Sequence, residues 1–156
     1  MRRPTVAIVG VGMIGGSLGM AWRKSDAARV IGVARRPETI LEALALGAID
    51  DGTTDLAKGV SGADVVVLCT PVLDIVSLAR AAISHMRSGA VLTDVGSTKS
   101  WIAREVGSLL PADLVFIGGH PMAGSERTGV GAADAHLFEE AIYCLTPPIG
   151  SRDGKR

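Results

Sequence analysis

The feature that most constrains this sequence is a glycine-rich turn that joins an apolar run to a helical pattern. The run Thr5–Val9 reads TVAIV, which is typical of a buried strand. The hexapeptide GVGMIG follows directly at residues 10–15, and Leu18, Ala21 and Trp22 continue at helical spacing. A G-x-G-x-x-G placed between a strand and a helix is a strong signal, because this turn binds phosphate in dinucleotide-binding units.

Each glycine of the turn has its own predicted task. Gly10 allows the tight turn, Gly12 lets the backbone approach a pyrophosphate, and Gly15 lets the helix pack closely on the strand. The helix N-terminus offers free N–H groups and a partial positive charge to the phosphate. The alternative is a glycine-rich turn that binds nothing. The residues that we expect to contact the cofactor are Gly10, Gly12, Met13, Ile14, Gly15, Arg35, Arg36, Thr70, Pro71 and Ser97.

The end of the second predicted strand indicates which dinucleotide binds. An acidic residue about 20 residues after the turn normally holds the ribose 2′-hydroxyl of NAD. Here Ala34 occupies that place, and Arg35 and Arg36 follow it. Guanidinium groups bind a 2′-phosphate through charge-assisted hydrogen bonds. The sequence therefore predicts that NADP is preferred and that NAD is possible, the alternative being that both arginines form a solvated turn.

The remainder of the chain alternates short apolar runs with amphipathic stretches. This alternation predicts an α/β fold of the Rossmann type, with a doubly wound, mostly parallel sheet and helices on both faces. Residues 1–148 form the predicted domain, residues 149–156 a polar tail or linker, and residues 118–131 a functional loop without regular structure. The predicted strands are Thr5–Val9, Val30–Ala34, Val65–Cys69, Ala90–Asp94, Leu114–Ile117 and Ala141–Leu145.

Composition excludes several classes of function. The 156 residues are 47% hydrophobic, and 16 basic residues balance 16 acidic ones, so no net charge attracts nucleic acid or an anionic membrane. No apolar stretch is long enough for a membrane span, and the cytoplasm is the expected compartment. Cys69 and Cys144 lie in apolar runs, which predicts two buried thiols rather than a disulfide or a zinc site. We expect no metal.

Three segments follow predicted strands and should meet at the carboxyl edge of the sheet, where ligands bind in such folds. They are residues 70–72, 94–99 and 118–126. His120 lies in the third segment, and its imidazole is suited to accept a hydroxyl proton as hydride leaves the same carbon. His85 and His136 are expected at the surface. The alternative for His120 is a structural loop histidine.

Three further side chains accompany His120 in these segments. Ser97 is expected to bond His120 or a substrate hydroxyl, and either Ser97 or Thr98 to cap the next helix. Lys99 either holds an anion or is solvated. Glu126 either orients a neighbouring residue or pairs with a charged group of the substrate. The alternative is a surface carboxylate without such a role.

Four motifs together resemble those of the prephenate/arogenate dehydrogenase family of tyrosine biosynthesis. They are GVGMIGGSL, LCTPV, DVGSTK and GGHPMAGSE, and the resemblance extends from Val6 to about Pro148. It implies the oxidative decarboxylation of prephenate or arogenate, in which hydride passes from C4 of the ring to the nicotinamide and carbon dioxide leaves C1. It also implies that His120 and Ser97 are catalytic and contact the substrate, with Ser125 and Glu126 near the substrate side chain.

The resemblance carries expectations beyond this chain. Family enzymes continue into a helical C-terminal domain that makes a homodimer and supplies a substrate-binding arginine, and we expect this chain to lack that domain. We therefore expect the chain to bind NADP but to turn over prephenate poorly. Two alternatives remain: a β-hydroxyacid dehydrogenase, which the GGHPMAG segment argues against, and a non-catalytic NADP-binding module.

Overall fold

The computed structural model describes residues 2–147. The domain alternates strands and helices from its first element, as the sequence predicts. The elements are β1 (Thr5–Val9), α1 (Met13–Lys24), β2 (Arg29–Val33), α2 (Pro37–Ala45), β3 (Asp51–Thr53), α3 (Leu56–Val60), β4 (Val65–Leu68), α4 (Val72–Ile83), β5 (Val91–Asp94), α5 (Lys99–Gly107), β6 (Val115–Pro121), a 3₁₀ turn (Val130–Ala132) and β7 (Tyr143–Thr146).

The described strands form one seven-stranded sheet in the order β3-β2-β1-β4-β5-β6-β7. Pairing is parallel from β3 to β6, and β7 joins β6 antiparallel. The chain order reverses between β1 and β4, so a crevice opens at the carboxyl ends of these two neighbours. The prediction of a Rossmann-type, mostly parallel sheet is confirmed.

The central strands are buried on both faces, which explains their continuous apolar runs. One core lies between the sheet and α3, α4 and α5 and contains the fully buried Ile75, Leu92 and Ile102. The other lies against α1 and α2 and contains Ile8 and Val30. Both layers of helices are thereby fixed, and the strand ends between them are held at one edge.

Asp64 links several segments at the opposite edge of the sheet, where the parallel strands begin. It accepts a hydrogen bond from the Thr5 amide at 2.7 Å and pairs with Arg2 and Arg87. The Thr5 amide holds the pKa of the Asp64 carboxyl below its ordinary value, and the two guanidinium groups add to this against the effect of burial. The carboxylate therefore stabilises the fold while it is ionised.

Several sequence predictions need correction. The short elements β3 and α3 were not predicted, because β3 is three residues long and reads DGT, with no apolar run to mark it. The interpretation of residues 118–131 as irregular is wrong for its first part, since β6 continues through Gly118, Gly119 and His120 to Pro121. Pairing with β7 supplies the hydrogen bonds that make this glycine-rich segment a strand.

Other differences are smaller. The strand predicted at residues 141–145 is β7, which begins two residues later than predicted. Cys144 is exposed on this edge strand, so its predicted burial is wrong, whereas Cys69 is half-buried and burial strongly raises the pKa of its thiol. The predicted tail, residues 149–156, lies outside the described residues. No helix within residues 2–147 combines the length and the apolar character of a membrane span.

Candidate active site

The glycine turn has the geometry that its pattern predicts for the backbone. Gly10 has a φ of 96°, and a Cβ there would lie 2.6 Å from the Cys69 carbonyl oxygen. A Cβ on Gly15 would collide with the Gly10 carbonyl oxygen and the Ile8 side chain. Gly12 differs from both, because a Cβ there would meet no atom within 4 Å. Protein packing therefore requires Gly10 and Gly15, while the space above Gly12 is open.

A cleft of about 560 Å³ opens beside this turn at the carboxyl edge of the sheet. The turn forms one wall, the end of β2 another, and Thr70 and Pro71 after β4 a third. Val130 of the 3₁₀ turn and Leu78 of α4 add apolar surface. The cleft lies at the reversal of strand order, where dinucleotides bind in this architecture.

The residues of the cleft fit a dinucleotide. The Thr70 hydroxyl oxygen is buried and has no hydrogen-bond partner among the described residues. Such an orphaned group costs free energy unless a ligand satisfies it. Open space above Gly12 next to the free N–H groups of α1 completes a cradle for phosphate. A bound nicotinamide dinucleotide would supply the hydride acceptor of an oxidation.

The positive charges of the cleft lie at the end of β2. Arg35 and Arg36 are exposed and line it beside the half-buried Ala34. Within residues 2–147 neither arginine forms a salt bridge. Glu42 and Asp74 also line the cleft and were not predicted, because their helical positions resemble those of any solvated residue.

His120 projects from the end of β6, two strands beyond β4 in the sheet. It is half-buried, and Cys144 of β7 lies directly opposite it in the antiparallel register. His85 and His136 are exposed, as predicted. His120 is thus fixed by strand pairing rather than by a loop.

Asp94 and Lys99 hold the peptide before His120. Asp94 is fully buried, Lys99 has a side chain 16% exposed, and the two form a salt bridge. The Lys99 ammonium donates to the Gly119 carbonyl oxygen at 2.7 Å, and the Gly119 amide donates to Asp94 Oδ1 at 3.2 Å. Burial lowers the pKa of Lys99, with Asp94 opposing this. Lys99 is therefore held by Asp94 and Gly119 rather than left to solvent.

Ser97 lies exposed between β5 and α5. Thr98, not Ser97, caps α5, and its side chain makes no capping hydrogen bond. The predicted hydrogen bond between Ser97 and His120 is not formed within the described residues. Their segments are instead linked through Asp94, which accepts hydrogen bonds from both the Gly96 and Gly119 amides.

The segment after β6 folds back over the start of α1. The Ser125 hydroxyl contacts the Met13 sulfur at 3.2 Å, and a Cβ on Gly124 would lie 3.6 Å from both Met13 and Ile14. Glu126 is exposed next to them. The structure therefore brings Met13, Ile14 and Ser125 together, while Glu126 remains at the surface. Residues 2–147 contain no group of three side chains suited to a metal ion.

Fold and cleft together define a dinucleotide-binding domain of the Rossmann type. A family model described as the nucleotide-binding domain of prephenate dehydrogenase matches residues 18–154. The chain belongs to this family.

Relatives and solved structures agree with that assignment. The chain is 42% identical over 147 residues to prephenate dehydrogenase of Bacillus subtilis, covering 93% of this chain and 40% of the relative. It is 36% identical to Aquifex aeolicus prephenate dehydrogenase solved with hydroxyphenyl propionate and NAD⁺, with a TM-score of 0.86 and coverage of 94% and 51%. For Synechocystis arogenate dehydrogenase the identity is 36%, the TM-score 0.85 and the coverage 92% and 50%. The chain thus spans about half or less of these proteins' lengths. A 3-hydroxyisobutyrate dehydrogenase at 19% identity shares the fold alone.

Proposed function

We propose that this chain forms the cofactor-binding and proton-accepting part of a prephenate dehydrogenase. The observation that carries the proposal is the placement of a dinucleotide cleft and a strand-held histidine on one edge of the sheet. The names of the relatives supply the substrate class. The product is 4-hydroxyphenylpyruvate, because loss of hydride and carbon dioxide makes the substrate ring aromatic.

His120 and Ser97 have different roles in the proposed reaction. A ring nitrogen of His120 would accept the proton of the C4 hydroxyl as the C4 hydride passes to the nicotinamide and the C1–carboxylate bond breaks, and would return that proton to the phenolate oxygen left on the aromatic ring. Ser97 contacts the same hydroxyl from the neighbouring segment. Ser125, which lies against the start of α1, and the exposed Glu126 are the proposed contacts of the substrate side chain.

NADP is the proposed cofactor. The turn at residues 10–15 would hold the pyrophosphate, with Thr70 and Pro71 on the other side of the cleft. Arg35 and Arg36 would bind the 2′-phosphate, and Ala34 places no carboxylate at the end of β2 to repel it. NAD remains a weaker ligand of the same cleft.

Substrate identity, partner and compartment complete the proposal. Arogenate is the alternative substrate, since an arogenate dehydrogenase shares the fold at the same identity. We propose a homodimer, formed mainly through a helical C-terminal domain of the kind that family enzymes carry. The exposed free thiol of Cys144 fits a reducing compartment, which supports the cytoplasm.

The test measures reduced nicotinamide formed from NADP and prephenate by the chain and by its His120→Asn variant. We expect slow turnover from these 156 residues, and a further fall of on the order of 10²-fold in the variant. Equal rates would refute the role of His120. NADP binding with no turnover from any cyclohexadienyl substrate, arogenate included, would favour the alternative of a non-catalytic binding module.

A further inference from the structure

Tyr143 was not predicted as a site residue, yet its ring packs against the segment that carries His120. It begins β7 and lies opposite Pro121 in the antiparallel register. A Cβ built on Gly119 would lie 2.9 Å from Tyr143 Cε1 and 2.9 Å from its hydroxyl oxygen. The ring therefore lies directly on Gly119, at a distance that only a glycine permits.

Gly119 is confined from its other sides as well. The same Cβ would lie 2.5 Å from the Asp94 carbonyl oxygen. The Gly119 amide and carbonyl bond Asp94 and Lys99 respectively. Asp94 and Lys99 bond the backbone of Gly119, and the Tyr143 ring covers the side of its Cα where a Cβ would be.

The position of Tyr143 in its strand is unusual. Cys144 and Leu145 are exposed, Leu145 to 67%, whereas Tyr143 is 37% exposed despite its larger ring. Tyr143 thus contacts β6 at the site end of this edge strand, while the half-buried Thr146 lies at its other end. An edge strand of four residues has little else to hold its register there.

We propose that Tyr143 is a positioning residue, whose ring presses on Gly119 and thereby fixes the direction in which the His120 imidazole leaves β6. This inference rests on the proposed function in one respect, namely that His120 is the proton acceptor. Burial, above all, raises the pKa of Tyr143 to about 12, and the negative charge of Asp94 adds to this. The phenol is therefore neutral at working pH and acts through packing, not as a base.

The experiment follows the imidazole resonances of the chain by NMR as pH is varied. The sequence contains three histidines, so each signal is assigned by single substitution. Tyr143→Ala removes the ring, Tyr143→Phe keeps it, and Leu145→Ala is a matched control on the same strand and face. The dissociation constant for NADP, measured on each variant, shows that the domain is still folded.

We expect Tyr143→Ala to change the shift and titration midpoint of His120 by more than those of His85 and His136. Tyr143→Phe should restore the wild-type values, and Leu145→Ala should leave them unchanged. A His120 signal unaffected by Tyr143→Ala would overturn the proposal. So would a Phe variant that behaves like the Ala variant, or a control that perturbs His120 equally.

Turnover provides a second readout. Misplacing a catalytic group by about 1 Å costs on the order of 10²-fold in rate, so Tyr143→Ala should lower kcat with little change in KM, and Tyr143→Phe should retain the rate. The two proposals fail separately. If His120→Asn leaves turnover unchanged, the proposed function fails, whereas the NMR comparison still decides whether Tyr143 positions His120.

Discussion

Replacing Asp94 by asparagine should strongly destabilise the domain, because it leaves the Lys99 ammonium without its partner. Asp94 is fully buried and the Lys99 side chain is 16% exposed, so water replaces the lost carboxylate only in part. Breaking a buried ion pair from one side costs about 3–5 kcal/mol. The lower end of this energy range applies here, because the Lys99 ammonium keeps its hydrogen bond to the Gly119 carbonyl oxygen and is partly exposed to water.

A loss of about 3 kcal/mol lowers the melting temperature by roughly 6–12 °C in a domain of this size. Thermal and urea unfolding followed by circular dichroism measure it. The double variant Asp94→Asn/Lys99→Met should recover a large part of the loss, because it leaves no unpaired charge. A single-variant loss below about 1 kcal/mol, or a double variant as unstable as the sum of both single variants, would refute this account of the pair.

The remaining predictions concern the cleft and the opposite edge of the sheet. Arg35→Ala and Arg36→Ala should each weaken NADP binding by on the order of 10-fold, through loss of a charge-assisted bond, and leave the NAD dissociation constant unchanged in calorimetry; equal losses for both cofactors would contradict the 2′-phosphate contact. Gly12→Ala should keep the wild-type melting temperature and lose dinucleotide affinity, whereas Gly15→Ala should lower the melting temperature. A Gly12 variant that is less stable than the Gly15 variant would contradict the tasks assigned to these glycines. The lowered pKa of Asp64 means that its stabilisation is complete above the unfolded value of 3.8 and is lost as pH falls through the folded value. Asp64→Asn should therefore be less stable at neutral pH and lose less stability on acidification, which unfolding curves measured against pH will show.

The parts of the site that depend on local sequence could be predicted. The turn at residues 10–15 is determined by a strand, three glycines and a helix in succession, so its backbone geometry follows from the pattern. The place of Arg35 and Arg36 in the cleft follows from their position directly after β2. Runs such as Val65–Leu68 predict central strands because both faces are buried.

The parts that depend on distant contacts could not be predicted. Lys99 has the pattern of a solvated helix start, and only the fold places it between Asp94 and Gly119. His120 belongs to a strand because β7, more than 20 residues later, supplies its antiparallel partner. Tyr143 has no local signal of its contact with Gly119, since that contact depends on the register of the two strands.

The most direct test of the central claim is a calorimetric titration of the chain with NADP and, separately, with NAD. The account predicts that both bind to the cleft beside the glycine turn and that NADP has the lower dissociation constant. NAD binding as tight as NADP binding would contradict the role of Arg35 and Arg36. If neither nucleotide bound the folded chain, the assignment of the cleft itself would be contradicted.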